Sequence, residues 1–125
     1  MRDLEFVGSS LDDLREFPED VKHDIGVALM DVQYGATPTN ATPMKGFGGA
    51  SVLEIIERYD GNTYRAVYTV RFETAVYVLH AFQKKSKRGA ATPGLDIKRI
   101  KERLAWAAEV EIERLAERRG DRHGR

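Results

Sequence analysis

The sequence predicts an α+β domain: an N-terminal helical hairpin packed on a small antiparallel sheet, with a long helix closing the chain. Three observations carry this. Val21, Ile25, Ala28, Leu29 and Val32 recur at helical spacing. Residues 52–59, 63–72 and 75–82 are three consecutive segments rich in β-branched and aromatic side chains, separated by turn-length breaks. Residues 94–119 then return to a helical period. Helices grouped ahead of successive strands, rather than alternating with them, indicate α+β.

Residues 3–7, DLEFV, read as a short first strand that joins the later strands at a sheet edge. Ser10, with Asp13 three residues on, reads as the start of a helix whose apolar side is Leu11, Leu14 and Phe17. Pro18 suits the first turn of a second helix, and Glu19 and Asp20 complement the positive end of its dipole. Gly35 is a natural stop. Residues 35–51 hold two prolines, four glycines and small polar residues, and read as one long loop of the kind that often carries function. Asp60-Gly61-Asn62 and Glu73-Thr74 punctuate the following strands, so these form an antiparallel meander. Residues 84–94 are a basic, glycine-containing connection, with Thr92 as N-cap and Pro93 as first helical residue. The last helix repeats Leu95, Ile100, Leu104, Ala108, Ile112 and Leu115 along one side, with Trp106 off the stripe. Residues 120–125 read as a frayed tail, and 1–125 as a single domain.

Composition limits the possibilities. About 42% of residues are apolar and 32% charged, a globular balance that excludes wholesale disorder. Without cysteine there is no disulfide scaffold, thiol nucleophile or cysteine-based zinc site. His23, His80 and His123 are scattered, so no metal is expected, nor any other cofactor. No apolar run approaches the roughly 18 residues of a membrane span, and acids stand where a signal peptide needs bases. The expectation is a soluble cytoplasmic protein without a membrane partner. The net charge of zero hides a polarity. Residues 1–60 hold 5 Lys+Arg against 12 Asp+Glu, and residues 61–125 hold 15 against 8. A basic half attracts polyanions, although a charged run can equally be a solvated surface.

Residues 64–93, YRAVYTVRFETAVYVLHAFQKKSKRGAATP, carry a specific resemblance. Tyr64, Arg65 and Tyr68, followed by the run Leu79 to Lys85 and preceded by a strand bearing Glu54, resemble the RelE/ParE superfamily of toxins, and within it the HigB-like, phage-related branch that includes the Tad toxins. The resemblance spans about residues 3–110 and implies a RelE-like fold. It implies the toxin of a type II toxin–antitoxin pair, silenced by a helix-turn-helix antitoxin of the HigA or XRE kind. Many such toxins cleave mRNA on the ribosome and so block translation and cause growth arrest; others inhibit DNA gyrase. A phage-derived interaction module without toxicity is the reading from another class.

Metal-independent RNA cleavage needs a group that takes the 2′-hydroxyl proton, cations on the transition-state phosphate, and an acid for the leaving oxygen. Arg65 is the leading candidate. Alternation puts it on one strand face with Val67, Thr69 and Arg71, and guanidinium suits a phosphate because it stays charged and donates paired hydrogen bonds. The plain alternative is an ion pair with Glu54 or Glu57. Lys84 corresponds to a basic site residue of ribosome-dependent relatives and shares a face with His80 and Phe82. His80 titrates near neutrality and is a catalytic candidate, although its apolar strand suits a buried structural histidine equally. Phe82 could stack on a base; Tyr68 faces the other way and reads as core. Lys45, in the glycine-rich loop, and Lys85, Lys87 and Arg88 are candidates for binding RNA phosphates. Two departures stand out. Ile56 occupies the place where relatives carry a basic residue, leaving Arg58, two residues on and on the same face, as its substitute. The C-terminal tyrosine that serves some relatives as a base has no counterpart.

Overall fold

Asp60 and Gly61 both have positive φ, +50° and +79°, which is the tight two-residue turn that an Asp-Gly pair favours between antiparallel strands. That turn sets the register of the sheet. The computed structural model describes residues 1–84 and 93–123. In chain order these form β1 (Asp3–Phe6), α1 (Ser10–Arg15), α2 (Glu19–Gln33), β2 (Ala41–Pro43), β3 (Val52–Tyr59), β4 (Asn62–Thr69), β5 (Ala75–Lys84) and α3 (Gly94–His123). The five strands make one sheet in the order β1-β5-β4-β3-β2. β1 lies parallel to β5 at one edge, and the other pairs are antiparallel. The architecture is the expected α+β arrangement, with the meander at its centre and a long C-terminal helix.

Each face of the sheet has its own core. Val21, Ile25, Ala28, Leu29 and Val32 of α2, with Leu14 and Phe17, pack on Leu53, Ile55, Ala66, Tyr68 and Val78. Fully burying one large apolar side chain contributes about 1.5–3 kcal/mol. This packing holds the hairpin, since neither α1 nor α2 has a side-chain hydrogen bond at its N-cap. On the other face, Ile100 and Ala107 of α3, with Met44 and Phe47, pack on Val52, Val67, Tyr77 and Leu79. Tyr68 is fully buried in the α2-side core as expected, and that burial pushes its phenol up to about 12.

Pairing slips by one residue between β4 and β5: Val67 faces His80 while Tyr68 faces Val78, leaving Leu79 as the extra residue of a bulge. The guanidinium of Arg103, on α3, donates to the Leu79 carbonyl at 2.9 Å and satisfies it. At the other end of α3, the buried Glu111 carboxylate accepts from the Thr74 amide (2.9 Å), the Thr74 hydroxyl (2.6 Å) and the Tyr77 hydroxyl (2.8 Å). Arg114 then ties α3 to Asp3 and Glu5 of β1. Part of the acidic–basic polarity of the sequence is therefore satisfied inside the fold.

Several details differ from the sequence reading. The N-cap of α1 is Ser9, not Ser10; Ser10 is buried and its hydroxyl donates to the Val78 carbonyl at 3.0 Å. Pro18 caps α2 from outside rather than starting it. The expected loop at 35–51 contains β2, which pairs with Leu53, Glu54 and Ile55 at the sheet edge. β4 ends at Thr69 rather than 72, and β5 runs two residues further, to Lys84. α3 continues to His123, past the expected end at 119 and into the stretch read as a frayed tail. Its buried side also differs: Ile97, Ile100, Leu104, Ala107 and Val110 face the sheet, whereas Leu95 and Ile112 are exposed. The expected N-cap, Thr92, lies outside the described residues.

Candidate functional site

The register lays out three rows across the sheet: Glu54–Val67–His80, Ile56–Arg65–Phe82 and Arg58–Thr63–Lys84. Directly paired residues share a face, so Arg65, Glu54, Arg58, His80, Phe82 and Lys84 all lie on the α3 side. α3 bonds His80 through Asp96, at its first turn, and runs from there toward Thr74. Arg65 and Lys84 lie on the other side of His80, toward the Asp60–Gly61 turn.

Arg65 reaches diagonally to Glu54, and its Nη1 donates to Glu54 Oε1 at 2.5 Å. Glu54, Arg65 and Lys84 are only 9%, 8% and 5% exposed. Two cations and one carboxylate are therefore gathered in a site shielded from water, with the ion pair made by Arg65 and Glu54. Three atoms of the cluster, Glu54 Oε2, Arg65 Nε and Lys84 Nζ, have no hydrogen-bond partner among the described residues. Buried polar atoms are normally satisfied, so three together are unusual. Burial lowers the Lys84 pKa and the Arg65 charge lowers it further, against the opposing pull of Glu54. A lysine so placed gives up its proton more readily than an ordinary one.

Beside the cluster, His80 is buried and held at both nitrogens. Nε2 lies 2.7 Å from Asp96 Oδ1, and Nδ1 lies 3.3 Å from Arg103 Nη1. A carboxylate can only accept and a guanidinium can only donate. The ring is therefore neutral, protonated on Nε2 and accepting at Nδ1. Burial lowers its pKa, against the upward pull of Asp96. Arg103 also donates to Ser9, whose hydroxyl donates to Asp13. The imidazole stacks on Phe82, with ring centroids 4.9 Å apart. Both ring nitrogens serve the fold, and His80 props the face of Phe82.

Of the remaining candidates, Arg58 is exposed and lies in the row of Lys84. Phe82 is half-buried. Lys45 is exposed in the turn between Met44 and Phe47. Lys85, Lys87 and Arg88 lie outside the described residues. Thr69 shares the interior with Arg65 as expected, but Arg71 lies beyond β4 and bonds Ser51 and the Phe47 carbonyl. The sequence reading missed the unsatisfied second oxygen of Glu54, and it missed Asp96 and Arg103 altogether. Glu54 did carry a signal: it is the first acid of the apolar strand VLEIIE, on the face of Arg65 by alternation. A cleft of about 470 Å³ opens on the opposite face, between Phe17, Pro18 and Tyr64, but Asp13 and Glu16 line it and would repel a phosphate. Among the described residues, no group of three His, Cys, Asp or Glu side chains is placed to share a metal ion, and no helix is long and apolar enough to cross a membrane.

A five-stranded sheet with a helical hairpin on one face and a long C-terminal helix on the other places the chain among proteins with a RelE-like fold. A double arginine-to-alanine variant of the E. coli toxin RelE, solved in the free state, has a similar structure. The TM-score is 0.51 at 22% identity, and the match covers 64% of this chain and 80% of that one. The chain belongs to the family described as phage-derived protein Gp49-like, whose sequence profile matches residues 12–105. No curated protein sequence matches it.

Proposed function

We propose that this protein is the toxin of a type II toxin–antitoxin pair and acts as a metal-independent endoribonuclease on mRNA at the ribosome. The carrying observation is the buried cluster of Glu54, Arg65 and Lys84, with three polar atoms lacking partners among the described residues. The RelE-like fold and the Gp49-like family support the toxin reading; the cluster supports the chemistry.

In this reading a phosphodiester takes the place of the Glu54 carboxylate on Arg65. Arg65 and Lys84 hold the non-bridging oxygens and gain strength as the phosphorane becomes dianionic. Glu54, released from Arg65, accepts the 2′-hydroxyl proton. The 2′-oxygen bonds to phosphorus and the bond to the 5′-oxygen breaks. Lys84, its pKa lowered by burial, donates the proton that the leaving 5′-oxygen needs. The products are a 2′,3′-cyclic phosphate and a 5′-hydroxyl, with every proton accounted for. Because the cluster is shielded, RNA must part the side chains around it. Phe82 and Ile56, both half-buried, flank Arg65 in its row, and the exposed Arg58 offers a first contact. Phe82, backed by His80, offers a stacking face to a base.

A second reading has one observation in its favour. Arg65 already has a carboxylate partner, as it would in a toxin of this fold that acts by binding alone. The deciding experiment expresses wild type and Arg65→Ala, follows growth, and maps mRNA 5′ ends by primer extension. Arrest with new 5′ ends, both lost in a folded Arg65→Ala protein, is the expected result. Arrest without new ends would overturn the nuclease reading, and no arrest by folded wild type would overturn the toxin reading.

A further inference from the structure

α2 buries one side completely and leaves the other open. On the open side Val27, Met30 and Tyr34 are 48%, 56% and 71% exposed. They are spaced three and four residues apart and so form one stripe, which extends over about 10 Å of helix. Single exposed apolar residues are ordinary, but three in register along a helix and its C-cap, Tyr34, are a patch. One border of the patch is acidic. Asp20, Asp24 and Asp31 are exposed, and the helix's one lysine, Lys22, is already held by Glu19 at 2.6 Å.

We propose that this face of α2 docks an amphipathic helix of a partner protein, with an apolar seam bordered by lysine and arginine. The seam would cover Val27, Met30 and Tyr34, and one basic border would meet the aspartates. The charge pattern argues against other occupants. A second copy docking antiparallel through the same face would set acidic border against acidic border, which disfavours association. Nucleic acid would be repelled by the same aspartates. That the partner is the antitoxin rests on the reading above. The surface itself does not depend on it, because α2 packs on the face of the sheet opposite Arg65 and Lys84.

The test uses the full chain and two labelled synthetic helical peptides. They share one leucine seam and differ only in having arginine or glutamate at the bordering positions; binding is read by fluorescence anisotropy. The arginine peptide is expected to bind saturably, and the glutamate peptide about tenfold or more weaker. A Met30→Ser/Tyr34→Ser protein should lose about tenfold or more of the affinity, since the seam carries the contact. Asp20→Asn/Asp31→Asn should weaken binding and flatten its salt dependence. Arg65→Ala should bind as wild type does, and the stripe variant should retain any growth arrest, so failure here and failure of the toxin reading are separable. No binding of the arginine peptide, or equal binding by the stripe variant, would overturn the proposal. So would a wild-type dimer in sedimentation that Met30→Ser/Tyr34→Ser abolishes, since the occupant would then be a second copy.

Discussion

In Glu54→Gln, Arg65 and Lys84 remain buried near each other, and Arg65 has lost its carboxylate partner. All three residues are less than a tenth exposed, so water screens the loss poorly. Breaking a buried pair by removing one partner costs about 3–5 kcal/mol. Glutamine keeps a carbonyl for Arg65, which places the expected loss near the lower end, at about 3 kcal/mol. In a domain of this size that lowers Tm by roughly 10–15 °C. The same substitution should make stability depend on anions. A phosphate or sulfate ion seated between Arg65 and Lys84 adds about 2.7 kcal/mol when its concentration is a hundredfold above Kd, close to what the carboxylate contributed. Wild type should respond less, because Glu54 competes for the same guanidinium. The assay is urea unfolding followed by circular dichroism, with chloride replaced by sulfate or phosphate at constant ionic strength. The expected result is a destabilised variant that recovers most of its loss in either anion. A variant that is destabilised yet indifferent to both anions would show that Arg65–Glu54 is only a structural ion pair, and the phosphate site would fall with it. A variant as stable as wild type would refute the energetic argument itself.

Two further substitutions test other parts of the reasoning. Lys84 has a folded-state pKa below the ordinary 10.5, so between the two values the unfolded chain binds more protons and stability rises with pH across that window. Lys84→Met should flatten this rise, match or exceed wild type at pH 7 by about 1 kcal/mol, and abolish RNA cleavage; urea unfolding at pH 7 and 10 measures it, and an unchanged pH slope would assign the effect elsewhere. Gly8 has φ +58°, and a Cβ there would lie 2.7 Å from Arg103 Nε. Gly8→Ala should therefore cost about 2–3 kcal/mol, about 1 for the left-handed backbone and the rest for displacing Arg103 from Leu79 and Ser9; a loss below about 0.5 kcal/mol would show that Arg103 does not anchor the bulge.

The parts of the fold legible in the sequence are those whose pattern is local. The five core residues of α2 announce themselves by spacing, and Asp60-Gly61 fixes the β3–β4 register. Given that register, alternation places Arg65 and Glu54 on one face, and Lys84 joins them through the β4–β5 pairing. β2 was not legible, because Ala41–Pro43 has no strand pattern and exists only where β3 offers an edge. The buried side of α3 was misread for a related reason. An apolar stripe through Leu95 and Ile112 ignores that Arg103, Glu111 and Arg114 face the sheet, each bonded to residues far away in sequence. The partners of His80 were hidden in the same way: Asp96 and Arg103 reach it from a different element. Patterns of hydrophobicity do not reveal a polar residue that is buried by design.

The two ends of the α3-facing side of the sheet make an informative comparison. At one end Glu111 is buried, and both its oxygens accept hydrogen bonds from Thr74 and Tyr77. In the middle His80 is buried, and both its nitrogens are engaged. The chain thus satisfies buried polar groups wherever they hold α3 to the sheet. At the other end Glu54, Arg65 and Lys84 are buried too, yet three of their atoms find no partner among the described residues. A fold built only for stability has no reason to treat its two ends differently, since replacing buried charges with apolar side chains is often neutral or favourable. Local rules are broken where function requires it. The excess positive charge at this end matches what a phosphodiester brings, so the least satisfied part of the fold is the part assigned to chemistry.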